Sequence, residues 1–244
     1  INNHLILNSR NLKLCKSKKK SVKLTSKANT LKNLNIRNAK IPKFISFYTN
    51  NYKKEKIYNL TKRNIKGKKI IVRSSCYGED GPQNSMAGKF LSIADIPIEI
   101  NQINSAVQDV IKSYKNYKSN KNQVIIQEYI SEVKLSGVIT TRDLNTAAPY
   151  YCINFSKDKR SDIVTSGKEN TQTIYYLQNS KKPKNKILQK INKLILELRK
   201  KFPKIELDIE FLIDKKFNLY LLQVRKLNLK NKNFYKNKDY NNAV

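Results

Sequence analysis

The stretch KIIVRSSCYGEDGPQNSMAGKFLSI, residues 69–93, decides how the rest of the chain is read. Its short apolar run ends at Arg73 and opens into a loop with Gly78, Gly81 and Gly88, half of the 6 glycines in the chain. This order predicts a buried strand that delivers a cation to a loop. Because glycine lets backbone N–H groups approach an oxyanion, and serine adds hydroxyl donors, the loop suits phosphate. The loop matches neither standard glycine-rich phosphate motif, so an ordinary surface turn fits the same residues.

The composition limits the fold and the partners. With 244 residues the chain can bury one sizeable core, in one domain or in two lobes that share a cleft. The net charge of +32 comes from 50 Lys and Arg against 18 Asp and Glu, an excess that attracts polyanions. Because the lysines are spread along the whole chain among many Asn and Ile, the pattern favours a genome-wide compositional bias over a binding role. We expect weak, nonspecific polyanion binding.

The reactive residues exclude several classes of site. The 3 cysteines, Cys15, Cys76 and Cys152, lie far apart, which indicates neither a disulfide framework nor a zinc site and favours a reducing, cytoplasmic setting. The only histidine, His4, lies in a polar leader, which argues against a catalytic triad or a His-ligated metal. No apolar run reaches the ~20 residues of a membrane span, so no membrane partner is expected. The chain begins with Ile rather than Met, and we expect a fragment of a longer polypeptide.

Hydrophobic periodicity predicts the order of helices and strands. Short strands joined by polar turns follow one another through the middle of the chain, which indicates a largely antiparallel sheet and an α+β fold. Paired tyrosines at 150–151 and 175–176 fall in these strands and are expected in the core. We predict helices over 26–34, 103–114 and 186–202, an extended segment over 41–45, and strands over 124–130, 135–143, 149–155, 162–166 and 173–177.

The segment 205–213, IELDIEFLI, alternates strictly and therefore predicts a strand with three carboxylates on one face. These carboxylates belong to Glu206, Asp208 and Glu210. Acidic oxygens in a row suit Mg²⁺, which prefers hard oxygen ligands. A solvated strand face with surface ion pairs fits the same pattern.

The following run, NLYLLQVRK, predicts the partner strand of a hairpin. We expect Gln223 and Arg225 to share a face with Leu219 and Leu221. If Ile213 pairs with Asn218, Asp208 lies opposite Gln223 and Glu206 lies opposite Arg225. Such a face could hold Mg²⁺ and the phosphates bound to it.

Four blocks, in this order, resemble the ATP-binding domain of phosphoenolpyruvate synthase and pyruvate phosphate dikinase, an ATP-grasp fold also found in rifampin phosphotransferases. Residues 69–93 resemble V-R-S-S-x-x-x-E-D-x-x-x-x-S-x-A-G-x-x-x-[ST], and LDIEFLIDKKFNLYLLQVRKL resembles D-I-E-W-x-I…L-Y-x-L-Q-x-R-P. SKANTLKNL…IPKFISF resembles the opening lysine block, and VIIQEYISEVKLSGVITTRD resembles V-Q-x-M-V…S-G-V-x-F-T-x-D-P. Together the blocks span about residues 23–227.

The resemblance implies an α+β ATP-grasp domain over 21–228, in which two lobes with largely antiparallel sheets enclose a nucleotide cleft. We expect one lobe to comprise roughly 21–95 with 200–228 and the other 96–199. Residues 1–20 would form a flexible basic leader, and residues 229–244 a basic tail.

The same resemblance implies the cofactors, ATP and Mg²⁺, and the residues that bind the nucleotide. Lys27 and Arg73 would hold phosphates of ATP, and Gly88 and Ser92 would form the loop over them. Gln127 would border the adenine. Phosphoryl transfer needs mainly cations aimed at developing charge, which agrees with these residue types.

On the hairpin, Glu210 and Gln223 would hold Mg²⁺ and nucleotide, and Arg225 would neutralise phosphate charge. Arg73 and Arg225 would therefore be the catalytic residues. Arginine suits bidentate contacts with phosphate, whereas lysine acts as a point charge.

The implied activity is that of an ATP-dependent kinase or phosphotransferase that passes phosphate from ATP to a carrier histidine on a separate domain. The carrier motif, of the type T-x-G-G-x-x-x-H-x-A, and the pyruvate-binding barrel have no counterpart in this sequence. The chain would thus be the nucleotide-binding half, incomplete on its own. Two alternatives stay open, a basic nucleic-acid-binding module and a degenerate, non-catalytic ATP-grasp homologue.

Overall fold

The computed structural model describes residues 23–77, 90–115, 117, 119–156, 171–178 and 183–229. Within them the chain forms four α-helices and nine β-strands, which makes an α+β fold. The helices are α1 (Lys27–Asn33), α2 (Lys54–Asn64), α3 (Ile100–Ser113) and α4 (Lys186–Lys201). The strands are β1 (Phe44–Tyr48), β2 (Lys69–Ser75), β3 (Ser92–Pro97), β4 (Gln123–Glu128), β5 (Val133–Thr140), β6 (Tyr150–Ser156), β7 (Thr171–Leu177), β8 (Leu207–Asp214) and β9 (Leu219–Lys226).

The first sheet has the strand order β1-β4-β2-β3, and every neighbouring pair is antiparallel. Helices α2 and α3 pack against it. The amphipathic spacing of α3 places Ile103, Val107 and Val110 on one side, where they form a buried core with Val72 of β2 and Ile126 of β4. The other face of this sheet is left for contacts with the second sheet.

The second sheet has the strand order β7-β6-β5-β8-β9 and is also antiparallel throughout. Helix α4 covers one face, because its apolar residues Ile191, Leu194 and Leu198 pack on the inward residues Ile209 and Phe211 of β8. Helix α1 packs on the same core. The predicted α+β class with two largely antiparallel sheets is confirmed.

The strict alternation of β8 decides what the opposite face carries. Since Ile209 and Phe211 point to α4, Asp208 and Glu210 point away from it. In the β8–β9 pairing, Asp208 lies opposite Arg225 and Glu210 lies opposite Gln223. Acidic, amide and guanidinium groups therefore meet on the face that α4 leaves uncovered.

The turn between β8 and β9 differs from the prediction. Ile213 lies opposite Leu219, not opposite Asn218. The Asp214 carboxylate accepts the backbone N–H of Asn218 at 2.8 Å, and Phe217 adopts a φ of 61°. This left-handed residue closes a three-residue loop, one residue shorter than the expected turn.

A β-bulge also changes the pairing further along the hairpin. Phe211 lies opposite Leu221 but Glu210 lies opposite Gln223, so Leu222 is the additional residue. The bulge turns Gln223 and Arg225 onto the face opposite to Leu219 and Leu221, and the predicted shared face of these four is wrong. The predicted pairs Asp208–Gln223 and Glu206–Arg225 are wrong because the turn and the bulge each shift the register by one residue.

The predicted lobes do not follow the sheets. Strand β4 lies inside the predicted lobe 96–199, yet it pairs with β1 and β2 in the first sheet. All strands of the second sheet come from 133–226, including those predicted to join residues 21–95. The boundary between the sheets is therefore the short connection from β4 to β5. The leader, the strand expected over 162–166 and residues 230–244 lie outside the described residues.

The tyrosine pairs are split between the two faces of the second sheet. Tyr151 and Tyr176 pack in or against the core, as predicted. Tyr150 and Tyr175 are 38% and 60% exposed, contrary to the expectation, because alternate strand residues face opposite sides. None of the helices in the described ranges combines the length and apolar composition needed to cross a bilayer.

Candidate binding site between the two sheets

An ion pair joins the two sheets. Arg73 of β2 and Glu210 of β8, 137 residues apart in the sequence, are joined by a 2.8 Å contact between Nη2 and Oε2. Their side chains are only 13% and 15% exposed. In β2, Val72 packs toward α3, so the alternation points Arg73 away from that core and toward the second sheet.

A second ion pair lies beside the first on the hairpin. Arg225 donates from Nη2 and Nε to Oδ2 of Asp208, at 2.6 and 2.9 Å. The bulge at Leu222 makes this contact possible, because it brings Arg225 to the carboxylate face. The sequence pattern named Asp208 among the carboxylates of this strand face, but the family resemblance gave it no role in binding nucleotide or metal. Its D-I-E spacing with Glu210, which places both carboxylates on one strand face, was the available signal.

Helix α1 brings Lys27 to the same place. The Ser26 hydroxyl donates to Oε1 of Gln123 at 2.9 Å, and the backbone N–H of Ala28 donates to the Ser75 hydroxyl at 3.2 Å. These contacts tie the start of α1 to the first sheet, while its apolar side packs on the core of the second. The Lys27 charge reaches both carboxylates, since it lowers the pKa of each.

The two carboxylates respond in opposite ways to this environment. Burial raises the pKa of Glu210, but Arg73, Lys27 and Arg225 together outweigh burial, and the pKa lies below its ordinary value. For Asp208, burial outweighs Arg225, and the nearby Glu210 charge adds to burial, so its pKa is raised. Glu210 is therefore the carboxylate that the surrounding cations keep ionised.

Several buried polar atoms around these ion pairs lack hydrogen-bond partners within the described residues. They are Nε of Arg73, Nε2 of Gln127, and both Oε1 and Nε2 of Gln223. Gln127 and Gln223 are 2% and 1% exposed, so the unpaired atoms are not solvated from outside. Leaving a buried polar group unpaired costs about 1–3 kcal/mol, and a cluster of them indicates a place where a ligand completes the hydrogen bonds.

A small cavity of about 90 Å³ lies at this position and is lined by Arg73, Ser92, Gln127 and Glu210, with Glu128–Ile130 and apolar side chains around them. Four predicted site residues thus share one cavity. Ser92 opens β3 and lies opposite Arg73 in the β2–β3 pairing. The sequence prediction missed the stretch 128–130, because its role depends on where the chain passes from the first sheet to the second.

The predicted site residues therefore meet along one seam between the sheets: Lys27, Arg73, Ser92, Gln127, Glu210, Gln223 and Arg225 all lie on or beside it. Gly88 lies outside the described residues. Glu206 does not join the seam. It binds Thr141, Arg142 and Arg199 instead.

The donor set fits Mg²⁺ held together with phosphate. Among the described residues, no three His, Cys, Asp or Glu side chains converge as a preformed metal site. Mg²⁺ needs less from the protein, since it keeps several waters and binds one or two carboxylates plus substrate phosphates. Glu210, with the unpaired amide oxygen of Gln223 opposite to it, matches that requirement.

No family model matches the chain, and no curated protein matches it. Among solved structures, it is similar to an L-amino acid ligase from Bacillus licheniformis, with a TM-score of 0.49, 14% identity, and coverage of 83% of this chain and 43% of that one. It is also similar to a D-alanine-D-alanine ligase from Coxiella burnetii, with a TM-score of 0.45, 10% identity, and coverage of 76% of this chain and 42% of that one. For the D-alanine-D-alanine ligase from Helicobacter pylori, the TM-score is 0.43 and the identity 12%, with coverage of 78% of this chain and 47% of that one. The chain thus spans less than half the length of each of these proteins.

Proposed function

We propose that this chain is an ATP-grasp domain that binds Mg·ATP in the seam between its two sheets. It would serve as the nucleotide-binding half of a phosphotransferase related to phosphoenolpyruvate synthase. The observation that carries the proposal is the group of buried, unpaired polar atoms on Arg73, Gln127 and Gln223, set among two ion pairs that join cations to carboxylates.

The charge of the seam supports phosphate as the ligand. Lys27, Arg73 and Arg225 approach it from α1, β2 and β9. Both arginines are mostly buried, where contacts between guanidinium and phosphate are stronger than at the surface. Their present partners are the carboxylates Glu210 and Asp208. A phosphate that takes over either arginine leaves a carboxylate free for a cation.

That exchange favours metal and nucleotide binding together. Glu210 and Gln223 would hold Mg²⁺, with Asp208 beside them on the same strand face. When bound, Mg²⁺ would neutralise charge on the phosphate oxygens. ATP without metal would leave Glu210 buried and deprived of Arg73, so metal-free ATP should bind weakly.

Gln127 marks the other end of the nucleotide. Its Nε2 is unpaired, and the residue lines the same cavity as the apolar side chains of Ile71, Leu212 and Leu222. An adenine ring would gain both apolar contact and a hydrogen bond there. Ligand pockets commonly measure about 300–1,000 Å³. The cavity of about 90 Å³ is smaller, so we expect the sheets to separate and the contact of Arg73 with Glu210 to open when ATP binds.

The phosphate would leave on a carrier histidine of another domain. His4, the only histidine, lies outside every block that resembles the family. Positioning and charge neutralisation accelerate transfer only when a nucleophile lies in line with the scissile bond. The isolated chain should therefore bind ATP without sustained cleavage.

Calorimetry with Mg·ATP tests the proposal. We expect dissociation constants in the micromolar to millimolar range and loss of binding when the metal is chelated. No binding by a chain shown to be folded by circular dichroism would refute it. ATP cleavage by residues 1–244 should stay near background and rise when the histidine domain of a relative is added. Steady cleavage by the isolated chain, abolished by Glu210→Ala, would contradict this division of roles.

The same assays separate the alternatives. A degenerate homologue would bind Mg·ATP or not, but the added histidine domain would never raise cleavage. A nucleic-acid module would place exposed aromatics among cations. The exposed pair Tyr150 and Tyr175 lies on β6 and β7, whose described residues include no Lys or Arg. This surface therefore gives the nucleic-acid alternative no support, although elsewhere the exposed Tyr77 and Phe217 lie against Lys121 and Lys134.

A further inference from the structure

Helix α1 carries Lys27 in its first turn, where its own sequence does not favour a helix. The helix has 7 residues, and isolated helices shorter than about 12–15 residues are marginal in water. Lys27 is the first of them, and the first turn contains no acidic residue. A cation in this position opposes the helix dipole. Contacts with the rest of the fold must therefore hold the first turn of α1 in place.

The side chain of Gln123, at the start of β4, contacts this turn on both sides of Lys27. Its Oε1 accepts a hydrogen bond from the Ser26 hydroxyl at 2.9 Å, and its Nε2 donates to Oδ1 of Asn29 at 3.4 Å. Gln123 is only 4% exposed, so water competes little for either bond. One buried amide thus uses both of its polar atoms on residues that flank Lys27 in the sequence.

A second contact joins the same turn to the end of β2. The backbone N–H of Ala28 donates to the Ser75 hydroxyl at 3.2 Å. The backbone N–H of Ser75 donates to the Tyr114 hydroxyl at 3.0 Å, and that hydroxyl donates to the backbone oxygen of Gln123. Ser75 and Tyr114 are both buried. We call Ser75, Tyr114 and Gln123 the α1 clamp, because these bonds connect all three beside the first turn of α1.

The α1 clamp includes residues on the face of the first sheet that lines the seam. Ser75 and Gln123 lie opposite each other in the β2–β4 pairing. Ser75 follows Arg73 by two residues, and Gln123 precedes Gln127 by four, so strand alternation places all of them on one face. Two residues along a strand span roughly 7 Å. The hydroxyl that holds the residue after Lys27 is therefore a short step from Arg73, the cation already in the seam.

Apolar packing does not explain the first turn of α1. Leu31 and Leu34 pack in the core of the second sheet, but they lie toward the C-terminal end of the helix. The first N–H groups of a helix have no partner within it, and helix ends fray. The α1 clamp therefore supplies what this packing does not, a fixed position for the backbone around Lys27.

We propose that Gln123 is a positioning residue for the nucleotide phosphates, because the α1 clamp holds Lys27 in the seam on the same side as Arg73. The charge of Lys27 already acts on Asp208 and Glu210 across the seam. Holding the helix before the nucleotide arrives reduces the ordering that accompanies binding, which increases affinity. This inference rests on the proposed function, since it names the residues that position one of its phosphate ligands.

A double-mutant cycle measured by calorimetry with Mg·ATP tests the assignment. Lys27→Met should weaken binding about tenfold or more, the loss expected when a charged hydrogen bond is removed. Gln123→Met, which is similar in size but forms neither hydrogen bond, should weaken it about fivefold, the order of the cost of immobilising one long side chain. In the Lys27→Met background the same change should have little further effect, because residues that act through each other are not additive.

Thr141→Val is the matched control. Like Gln123, the buried Thr141 side chain makes two hydrogen bonds, to Glu206 at 2.6 Å and from the Leu207 backbone N–H at 2.7 Å, but it lies outside the seam. This substitution should leave Mg·ATP affinity unchanged. Ser26→Ala should weaken binding as Gln123→Met does, whereas Ser26→Thr, which keeps the hydroxyl, should not. If Gln123→Met does not fold, Ser26→Ala takes its place in the cycle.

The cycle also decides against the proposal if it is wrong. Equal losses from Gln123→Met in the wild-type and Lys27→Met backgrounds would show that Gln123 acts independently of Lys27 and would overturn the inference. So would wild-type affinity in Gln123→Met or in Lys27→Met. These results leave Mg·ATP binding by the wild type intact, and the proposed function with it. Absence of binding by the folded wild type overturns the proposed function and the inference together.

Discussion

Two carboxylates at the start of the same hairpin, Glu206 and Glu210, have opposite surroundings. Glu206 accepts hydrogen bonds from the Thr141 hydroxyl at 2.6 Å, from Arg142 at 2.9 Å and from Arg199 at 3.3 Å. These partners come from the loop after β5 and from α4, both packed on the same sheet. The Glu206 side chain is 23% exposed, and its hydrogen bonds are completed within this cluster.

Glu210 instead takes its partner from the other sheet, and the buried atoms around it are not all paired. Arg73 keeps an unpaired Nε, and Gln223, directly across β9, keeps an unpaired amide. Glu206 and Glu210 are therefore only four residues apart. The side chains around Glu206 complete its hydrogen bonds, whereas those around Glu210 leave buried polar atoms unpaired. Incomplete hydrogen bonding in a buried, charged place is what a ligand would supply.

The largest expected effect of this difference is on stability. Glu210→Ala leaves Arg73 buried without its counter-charge, and breaking a buried ion pair costs about 3–5 kcal/mol. Glu206→Ala removes hydrogen bonds from cations that solvent reaches, for a loss of about 1–2 kcal/mol. Urea unfolding of both variants measures the two losses. Equal losses would remove the distinction between the clusters.

The next effect is on nucleotide affinity. Arg73→Ala and Arg225→Ala should each weaken Mg·ATP binding by about 1.5–3 kcal/mol, the contribution of a hydrogen bond to a charged group, and should affect AMP less. Arg199→Ala is the matched control. Because Arg199 pairs with Glu206, this substitution should leave ATP affinity unchanged. Calorimetry decides; wild-type affinity in either seam variant would remove that arginine from the site.

The sequence predicted the alternation of β8 correctly because burial of Ile209 and Phe211 against α4 fixes which face Glu210 takes. It did not predict the register of β9. A left-handed Phe217 and one bulged residue, Leu222, set that register, and neither leaves a glycine or proline as a signal. Local pattern therefore indicated which residues of β8 share a face but not which residues of β9 lie opposite to them.

The division of the strands between the two sheets differs from the predicted lobe bounds for a related reason. Which strands share a sheet is decided by long-range pairing, such as that of β4 with β1 and β2, and local periodicity does not encode it. The meeting of Arg73 with Glu210 across the sheets could be expected only through the family resemblance. One glycine of the matched blocks has a clear packing reason: a Cβ on Gly137 would lie 2.8 Å from the Phe211 ring.

A smaller effect concerns stability in acid. As the pH falls, the contributions of Glu210 and its neighbour Asp208 to stability change in opposite directions. The pKa of Glu210 is lowered in the fold, so its contribution is present above the unfolded pKa and is lost as the pH falls through the folded one. The pKa of Asp208 is raised, so its contribution is present in acid and is lost as the pH rises through the folded pKa.

We therefore expect Glu210→Gln to lose less stability than the wild type on acidification, and Asp208→Asn to lose more. Urea unfolding at about pH 7 and about pH 3 brackets the ordinary pKa values of both groups. Only the change between the two pH values is compared, since each variant also shifts stability at neutral pH. The same slope in all three proteins would show that neither carboxyl has a shifted pKa.

The smallest effect is that of the overall charge. The +32 charge should give weak, sequence-indifferent nucleic-acid binding that falls steeply with added salt. Fluorescence anisotropy with oligonucleotides of unrelated sequence, at low and at physiological salt, measures it. Arg73→Ala should hardly change this binding, because the side chain is 13% exposed. Tight and selective binding at physiological salt would instead favour a nucleic-acid function.

We expect Gln223, and not the cluster around Glu206, to receive the metal and the nucleotide. Gln178 is the internal reference, because its amide donates to the Thr141 backbone oxygen at 2.6 Å and accepts from Arg199. Mn²⁺ prefers the same hard oxygen ligands as Mg²⁺ and broadens nearby NMR signals. On titration with Mn·ATP, we predict that the side-chain amide signal of Gln223 disappears at concentrations that leave that of Gln178 sharp. Equal broadening of both signals, or a sharp Gln223 signal with ATP bound, would show that Gln223 does not bind the metal.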